Sequence, residues 1–379
     1  LISATGVLKA SLFAGVLFDE NTVALKVEEK HLPAVWLFAS SGRLDAGVRA
    51  FDTSRKVRGP IVRVAFDYEE WNLLAKEKFP NGLPEPESND PTQWLFHGHP
   101  ARADRGTQLQ VAVARLLGYR WPAEHDKTMR LSERARGLVV ESEALLPFAD
   151  GDGIVCLPAV QREQPAYKRL QALLAAAYGA EWSPAKEREL LAAAGHTGES
   201  LESWLRDSFF KEHCKLFHDR PFVWHVWDGR QDGFHALVNY HQLAAPNGGG
   251  RRTLEKLIYT YLGEWITRQE QAVEAGADGA EARRAAALKL KGELEKILNG
   301  EAPYDLFVRW KPLHQQAIGW EPDINDGVRL NIRPWLLAAD VKAKGAGLLR
   351  HKPNIKWGKD RGKEPQREQS EHPWFWSWD

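Results

Sequence analysis

The sequence predicts an α+β chain: an N-terminal α/β domain, a helical middle, and a β-hairpin followed by a long helical pair. Three observations predict it. Residues 220–241, RPFVWHVWDGRQDGFHALVNYH, place two aromatic-rich, β-prone runs around the polar turn 228–233, which is the pattern of a hairpin. Residues 107–213 carry Ala/Leu-rich stretches with apolar residues at helical spacing. Residues 253–275 and 280–298 are two long helical stretches broken only at 276–279, as in an antiparallel helix pair.

In chain order, residues 1–27 alternate short apolar runs with Gly15 and Asn21 and read as two or three strands. A helix begins near Pro33 and runs to about Phe51, because proline suits the first helical turn. Residues 61–66, IVRVAF, alternate and read as a strand. Asp67 at the N-cap with Glu70 three positions on then opens a helix through Lys78. Four prolines between Pro80 and Pro91 mark a loop.

Leu109, Val113, Leu116 and Leu117 share one face of a helix over 107–119. Asp150-Gly-Asp-Gly is a turn leading into a short strand, 154–157. Helices are expected at 165–179, 184–195 and 200–213. After the hairpin, 245–250 is a flexible Gly-rich loop. In the helix that follows, Leu254, Leu257, Ile258, Tyr261, Leu262 and Trp265 lie on one face. Residues 304–310 and 328–332 read as strands. The end, HPWFWSWD, is strongly aromatic. The expected domains are 1–100, 101–219 (mainly helical), 220–345 (hairpin, helical pair and strands) and a basic, Trp-rich tail, 346–379.

Composition bounds the class. With 379 residues, 43% apolar and 27% charged, the chain suits a folded protein of two or three domains. Sixteen tryptophans call for large buried aromatic clusters or stacking surfaces. The chain starts at Leu1 and holds a single methionine, Met129, so a fragment or processed product is expected. Two distant cysteines, Cys156 and Cys214, exclude a disulfide framework and suit reduced thiols and a cytoplasmic location. No apolar run is long enough for a membrane span and no signal-peptide pattern opens the chain. Fifty-one basic and 51 acidic residues cancel, so nucleic-acid binding would need a local basic patch rather than a basic protein.

Several catalytic patterns are missing from the text. There is no Asn/Asp-Pro-Pro motif, no nucleophile elbow and no phosphate-binding Gly-x-x-x-x-Gly-Lys. Asp150-Gly-Asp-Gly is the nearest thing to a cofactor-binding turn, and an ordinary turn is the better reading. Asp19 with Glu28-Glu29-Lys30, and Glu293-Leu-Glu-Lys, have the order of a Mg²⁺-nuclease set, but solvated charged faces explain both. Asp323-Ile-Asn-Asp-Gly departs from a calcium loop. His97 with His99, and His213, Cys214 and His218, lack the second pair a zinc site requires. No catalytic and no metal-ligating residue is assigned.

Three blocks carry a resemblance: residues 220–241 above, RWKPLHQQAIGWEPDINDGVRLNIRPW at 309–335, and YEEWNLLAKEKFPNGLPEPESNDPTQWLFHGHP at 68–100. From about Leu8 to about Trp376 the chain resembles the C-terminal part of large adenine-specific DNA methyltransferases. These are the fused restriction-modification and BREX- or DISARM-type phage-defence enzymes. The resemblance implies a target-recognition-type first domain and a piece downstream of the methyltransferase core. It implies duplex DNA as partner, together with that core, on the same or a separate chain, and other defence-system subunits. S-adenosylmethionine belongs to the core of the parent enzyme, and no cofactor is expected in this chain. The alternative is a non-enzymatic protein-interaction module of a defence complex.

Candidate DNA contacts follow from residue chemistry. Between Val341 and Lys363, eight Lys or Arg residues stand against one acid, Asp360. Within that run Lys352, Lys356, Lys359, Arg361 and Lys363 surround Trp357, a combination suited to phosphates and equally to a solvated loop. Arg55, Lys56 and Arg58 sit in a loop of the first domain. Arg230 and Gln231, at the hairpin tip, have side chains that read guanine and adenine edges, and also suit an ordinary surface turn.

Overall fold

The computed structural model describes residues 1–13, 20–57, 60–83, 98–120, 122–125, 127, 133–245, 247–300, 304, 324–342 and 344–355. The chain is α+β and divides into two compact units: residues 1–89 with 128–137, and residues 90–127 with 138–379.

In the first unit β1 (Ile2–Ser3) pairs antiparallel with β2 (Thr22–Val23). The helix expected from residue 31 to 51 is two helices, α1 (Leu32–Ser40) and α2 (Arg43–Arg49). Gly42 between them takes φ 84°, a conformation that stops one helix and re-aims the next. In α3 (Tyr68–Lys78) the Asp67 carboxylate accepts the backbone N–H of Glu70 at 3.2 Å, the expected cap. A small core gathers Leu8, Phe38, Leu44, Val48, Val57 and Ile61. The strand expected at 61–66 is instead a 3₁₀ turn, Pro60–Arg63. Its apolar side chains meet the core at a spacing of three, Ile61 then Val64, which a turn satisfies and a strand does not.

The second unit is built around α4 (Gln108–Leu116), every residue of which from Leu109 to Leu116 is buried. Burial of a whole helix forces its polar side chains to find partners inside. Arg115 forms a two-pronged ion pair with Glu124 of α5 (Pro122–His125) at 2.6 and 3.1 Å, and donates to the carbonyl of Ser142 in α6 (Glu133–Glu143) at 2.7 Å. Gln110 is held from the other end of α4, as described below.

A three-stranded antiparallel sheet, ordered β3–β5–β4, forms the centre: β3 (Ile154–Cys156), β4 (Val223–Trp227) and β5 (His235–Asn239). All thirteen of its residues are buried, because helices cover both faces. Between β3 and β4 come α7 (Ala166–Tyr178), α8 (Pro184–Ala193), α9 (Leu201–Asp207) and α10 (Phe209–Leu216). On one face of β4, His225 meets Phe210 of α10. On the other, Trp224 meets Trp335 of the last helix. The hairpin pairs as expected, Trp227 opposite His235 and Val223 opposite Asn239. The outer edge of β4 is closed by residues 348–350: Trp227 N–H donates to Leu348, and Arg350 N–H to His225.

After the hairpin, α11 (Tyr240–Leu243) and α12 (Gly249–Glu255) lead into a π-helical stretch, Lys256–Leu262, and then α13 (Gly263–Glu274). α14 (Ala280–Asn299) packs back on it as the expected helical pair. The strand expected at 328–332 lies inside α15 (Ile324–Leu337). The apolar residues Ile332, Trp335 and Ala338, each three apart, are buried, which is the spacing of a helix rather than of an alternating strand. Of the strand expected at 304–310 only Tyr304 is described; its hydroxyl donates to Glu293 at 2.7 Å. Both cysteines are buried and free. Among the described residues no helix is long and apolar enough to cross a membrane.

Replacing Glu124 by Gln leaves Arg115 as a buried charge without its counter-ion, and is expected to cost about 3–5 kcal/mol in urea unfolding. His213→Leu is expected to cost about 2–4 kcal/mol at neutral pH, since it orphans the N–H groups of Phe222 and Val223 that His213 accepts at 3.2 and 3.1 Å. Burial pulls the His213 pKa down to about 3. Folded His213 therefore stays neutral while the unfolded chain protonates near 6.5, and the wild type loses this stability as pH falls below that value. The difference between wild type and variant should shrink by about 1.4 kcal/mol per pH unit below pH 6.5.

Candidate nucleic-acid interface

α10 presents two faces. Phe209, Phe210, His213 and Cys214 point inward and are buried, whereas Lys211, Lys215 and then His218 follow at helical spacing on the exposed side. Residues 349–355 run beside them, held by Arg350. Its guanidinium lies 4.3 Å from the Trp227 ring, donates to Asp207 at 3.0 Å and to the Arg206 carbonyl at 3.0 Å. Asp219 accepts the N–H of Asn354 at 2.9 Å. Between the two elements lies a cleft of about 600 Å³, lined by His196, Lys211, Glu212, Lys215, His218 and His351 among others. His218 and Asp219 at its rim take φ 51° and 61°, left-handed values that close the end of α10.

The carboxylates of this cleft are already engaged. Glu212 contacts the His196 ring at Nε2 and accepts from the Trp204 indole at 3.2 Å. Glu199 holds the other ring nitrogen of His196 at 2.9 Å. Asp207 is paired with both Arg206 and Arg350. Partial burial lowers the His196 pKa, but the two flanking carboxylates outweigh it and hold it above the ordinary histidine value. Burial, joined by the charge of Lys211, lowers that of His351. Lys211 and Lys215 have no carboxylate partner among the described residues.

The expected contact residues are scattered. Lys352 is exposed and adjoins the cleft through His351. Lys356, Trp357, Lys359, Arg361 and Lys363 lie outside the described residues, as does Arg58. In the first unit Arg55 is exposed and Lys56 lies 3.7 Å from Glu20. Their loop is clamped by Arg49, which donates to the carbonyls of Ser54 and Asp52. At the hairpin tip Gln231 is exposed, but Arg230 forms a two-pronged pair with Asp232 at 2.9 and 3.1 Å. Asp232 is shared with Arg283 at 3.2 Å. Asp228, buried and pushed up to about 6 by that burial, accepts the N–H groups of Arg230 and Phe234 and fixes the turn. Arg230 therefore reaches a base only by giving up an intramolecular pair. Lys211, Lys215 and His351 were not among the sequence candidates. The i, i+4 lysine spacing in KEHCKLFH was the available signal.

Other candidate motifs have structural work. In Asp150-Gly-Asp-Gly one Asp150 oxygen accepts three backbone N–H groups, from Asp152, Gly153 and Ile154. The other accepts from Arg169 at 2.8 Å. A Cβ on Gly153 would lie 2.8 Å from that of Asn239, so the turn requires glycine at that position. Glu293 is tied to Lys296, Tyr304 and the N–H of Ala339. His213 accepts two backbone N–H groups at Nε2, which leaves no lone pair for a metal.

No family model matches the chain. Over 150 residues, 38% of this chain, the sequence is 27% identical to the adenine-specific methyltransferase BrxX of Escherichia coli O9:H4 (strain HS). That likeness relates the chain to adenine-specific methyltransferases. The matched stretch covers 12% of BrxX, so the relative is a far larger protein.

The charged His196 bridge gives a pH test. Because its folded pKa is raised, its stabilisation is complete below the unfolded value near 6.5 and is lost as pH rises through the folded value. The melting-temperature difference between wild type and His196→Ala should be largest in mildly acidic buffer and fade in alkaline buffer.

Proposed function

We propose that this chain recognises and positions duplex DNA for an adenine-N6 methyltransferase acting in restriction-modification or phage defence, with the catalytic core outside this chain. The observation that carries the reading is the sequence likeness to an adenine-specific methyltransferase. Such chemistry requires the adenine to leave the base stack, which demands a firm grip on the flanking duplex. Phosphate contacts supply grip and register, and loop side chains read base edges. In this reading S-adenosylmethionine is held by the core, and the setting is cytoplasmic.

A second reading is a non-enzymatic module that binds other subunits of a defence complex. Zero net charge supports it. Among the described residues Trp204, Trp224, Trp227 and Trp335 are buried in the core and are not available to a partner.

The test is binding of the purified chain to a labelled duplex between 50 and 200 mM salt. The expected result is an affinity that falls linearly on log–log axes, by about 0.9 per phosphate contacted. Absence of binding at low salt sinks the DNA reading and favours the second.

A further inference from the structure

We infer that the cleft between α10 and residues 349–355 binds the phosphodiester backbone of a nucleic-acid strand, with Lys211 and Lys215 as its cationic contacts. This assignment rests on the DNA reading above and names the surface that performs it. Three observations converge. The site is concave, about 600 Å³, and large enough to seat a phosphate with its sugar. Its carboxylates already have partners within the protein: Asp207 pairs with Arg206 and Arg350, Glu212 shares the His196 ring with Glu199, and Asp219 accepts the N–H of Asn354. Lys211 and Lys215 are exposed and make no ion pair among the described residues, so their ammonium groups are free to meet an anion in the cleft. Successive lysines one turn apart stand roughly 6 Å from each other along α10, which lets each meet a different phosphate. His218 and His351 also line the cleft and offer ring N–H groups to phosphate oxygens.

The exposed ends of two lysines cost the fold little to replace, so the full chain can be tested in variant form. Duplex binding is measured by fluorescence anisotropy across the salt series for wild type, Lys211→Gln/Lys215→Gln and Lys211→Arg/Lys215→Arg. The control is Lys186→Gln/Lys289→Gln on α8 and α14, and circular dichroism confirms folding of each. The Gln pair is expected to reduce the log–log salt slope by about 1.8. That corresponds to roughly 60-fold weaker binding at 0.1 M salt when the lines meet at 1 M. The Arg pair and the control should keep the wild-type slope. An unchanged slope in the folded Gln pair, with wild type binding normally, overturns the assignment and leaves the DNA reading standing. Wild type that fails to bind any duplex overturns both. Inorganic phosphate that protects the two lysines from acetylation, where duplex does not, overturns the assignment in favour of a free anion.

Discussion

The second unit depends on a run of hydrogen bonds that begins inside a buried helix. Gln110 of α4 sits in the core and has to satisfy an amide there. Its oxygen accepts from His213 Nδ1 at 3.2 Å, and the far nitrogen of that ring accepts from Phe222 and from Val223, the first residue of β4. The amide nitrogen reaches the Phe209 carbonyl and the Glu212 carboxylate, each at 3.4 Å. One side chain thus sets α4, α10 and β4 against each other. The tautomer of His213 follows from this geometry, since Nδ1 must carry the proton to donate to Gln110.

The same connection links the core to the cleft. Glu212 touches Gln110 and Trp204 on its inner side and His196 on its outer side. The rotation of α10 about its own axis is therefore determined by buried partners, and with it the direction in which Lys211 and Lys215 project. A comparable chain runs through the hairpin. His235 donates from Nε2 to the Arg230 carbonyl at 2.7 Å, so its Nδ1 accepts from His225 at 3.0 Å. Both rings are buried, and burial draws the His235 pKa down to about 4, so the pair stays neutral at physiological pH. The tip is thereby rigid, with its arginine committed to Asp232.

Legibility in the sequence followed how local the signal was. The Asp67 cap, the hairpin, the Asp150 turn and the helical pair depend on residues within a few positions of each other, and each is visible in the text. The strands expected at 61–66 and 328–332 failed because alternation over five or six residues cannot distinguish a strand from a turn or helix whose next apolar contact, Val64 or Trp335, sets the period. The sheet order was not legible, since Cys156 of β3 pairs with Ala236 of β5, 80 residues further on, across all of α7 to α10. The cleft was hidden for the same reason: His196, Lys211 and His351 come from three separate stretches. Its lysines stand out only once the structure shows which carboxylates are already paired.

The short stretch that closes the outer edge of β4 has a consequence for solubility. An uncovered strand edge offers a row of free N–H and C=O groups to any other extended chain. Here Trp227 gives its backbone N–H to Leu348 and its indole N–H to the Leu349 carbonyl, and Arg350 N–H completes the seal at His225. On the opposite side β3 is only three residues long, too short to template a partner strand. Peeling residues 348–350 away would bare the edge of this aromatic strand from His225 to Trp227. The stretch thus acts as a stopper that keeps copies of the chain from stacking sheet edge to sheet edge.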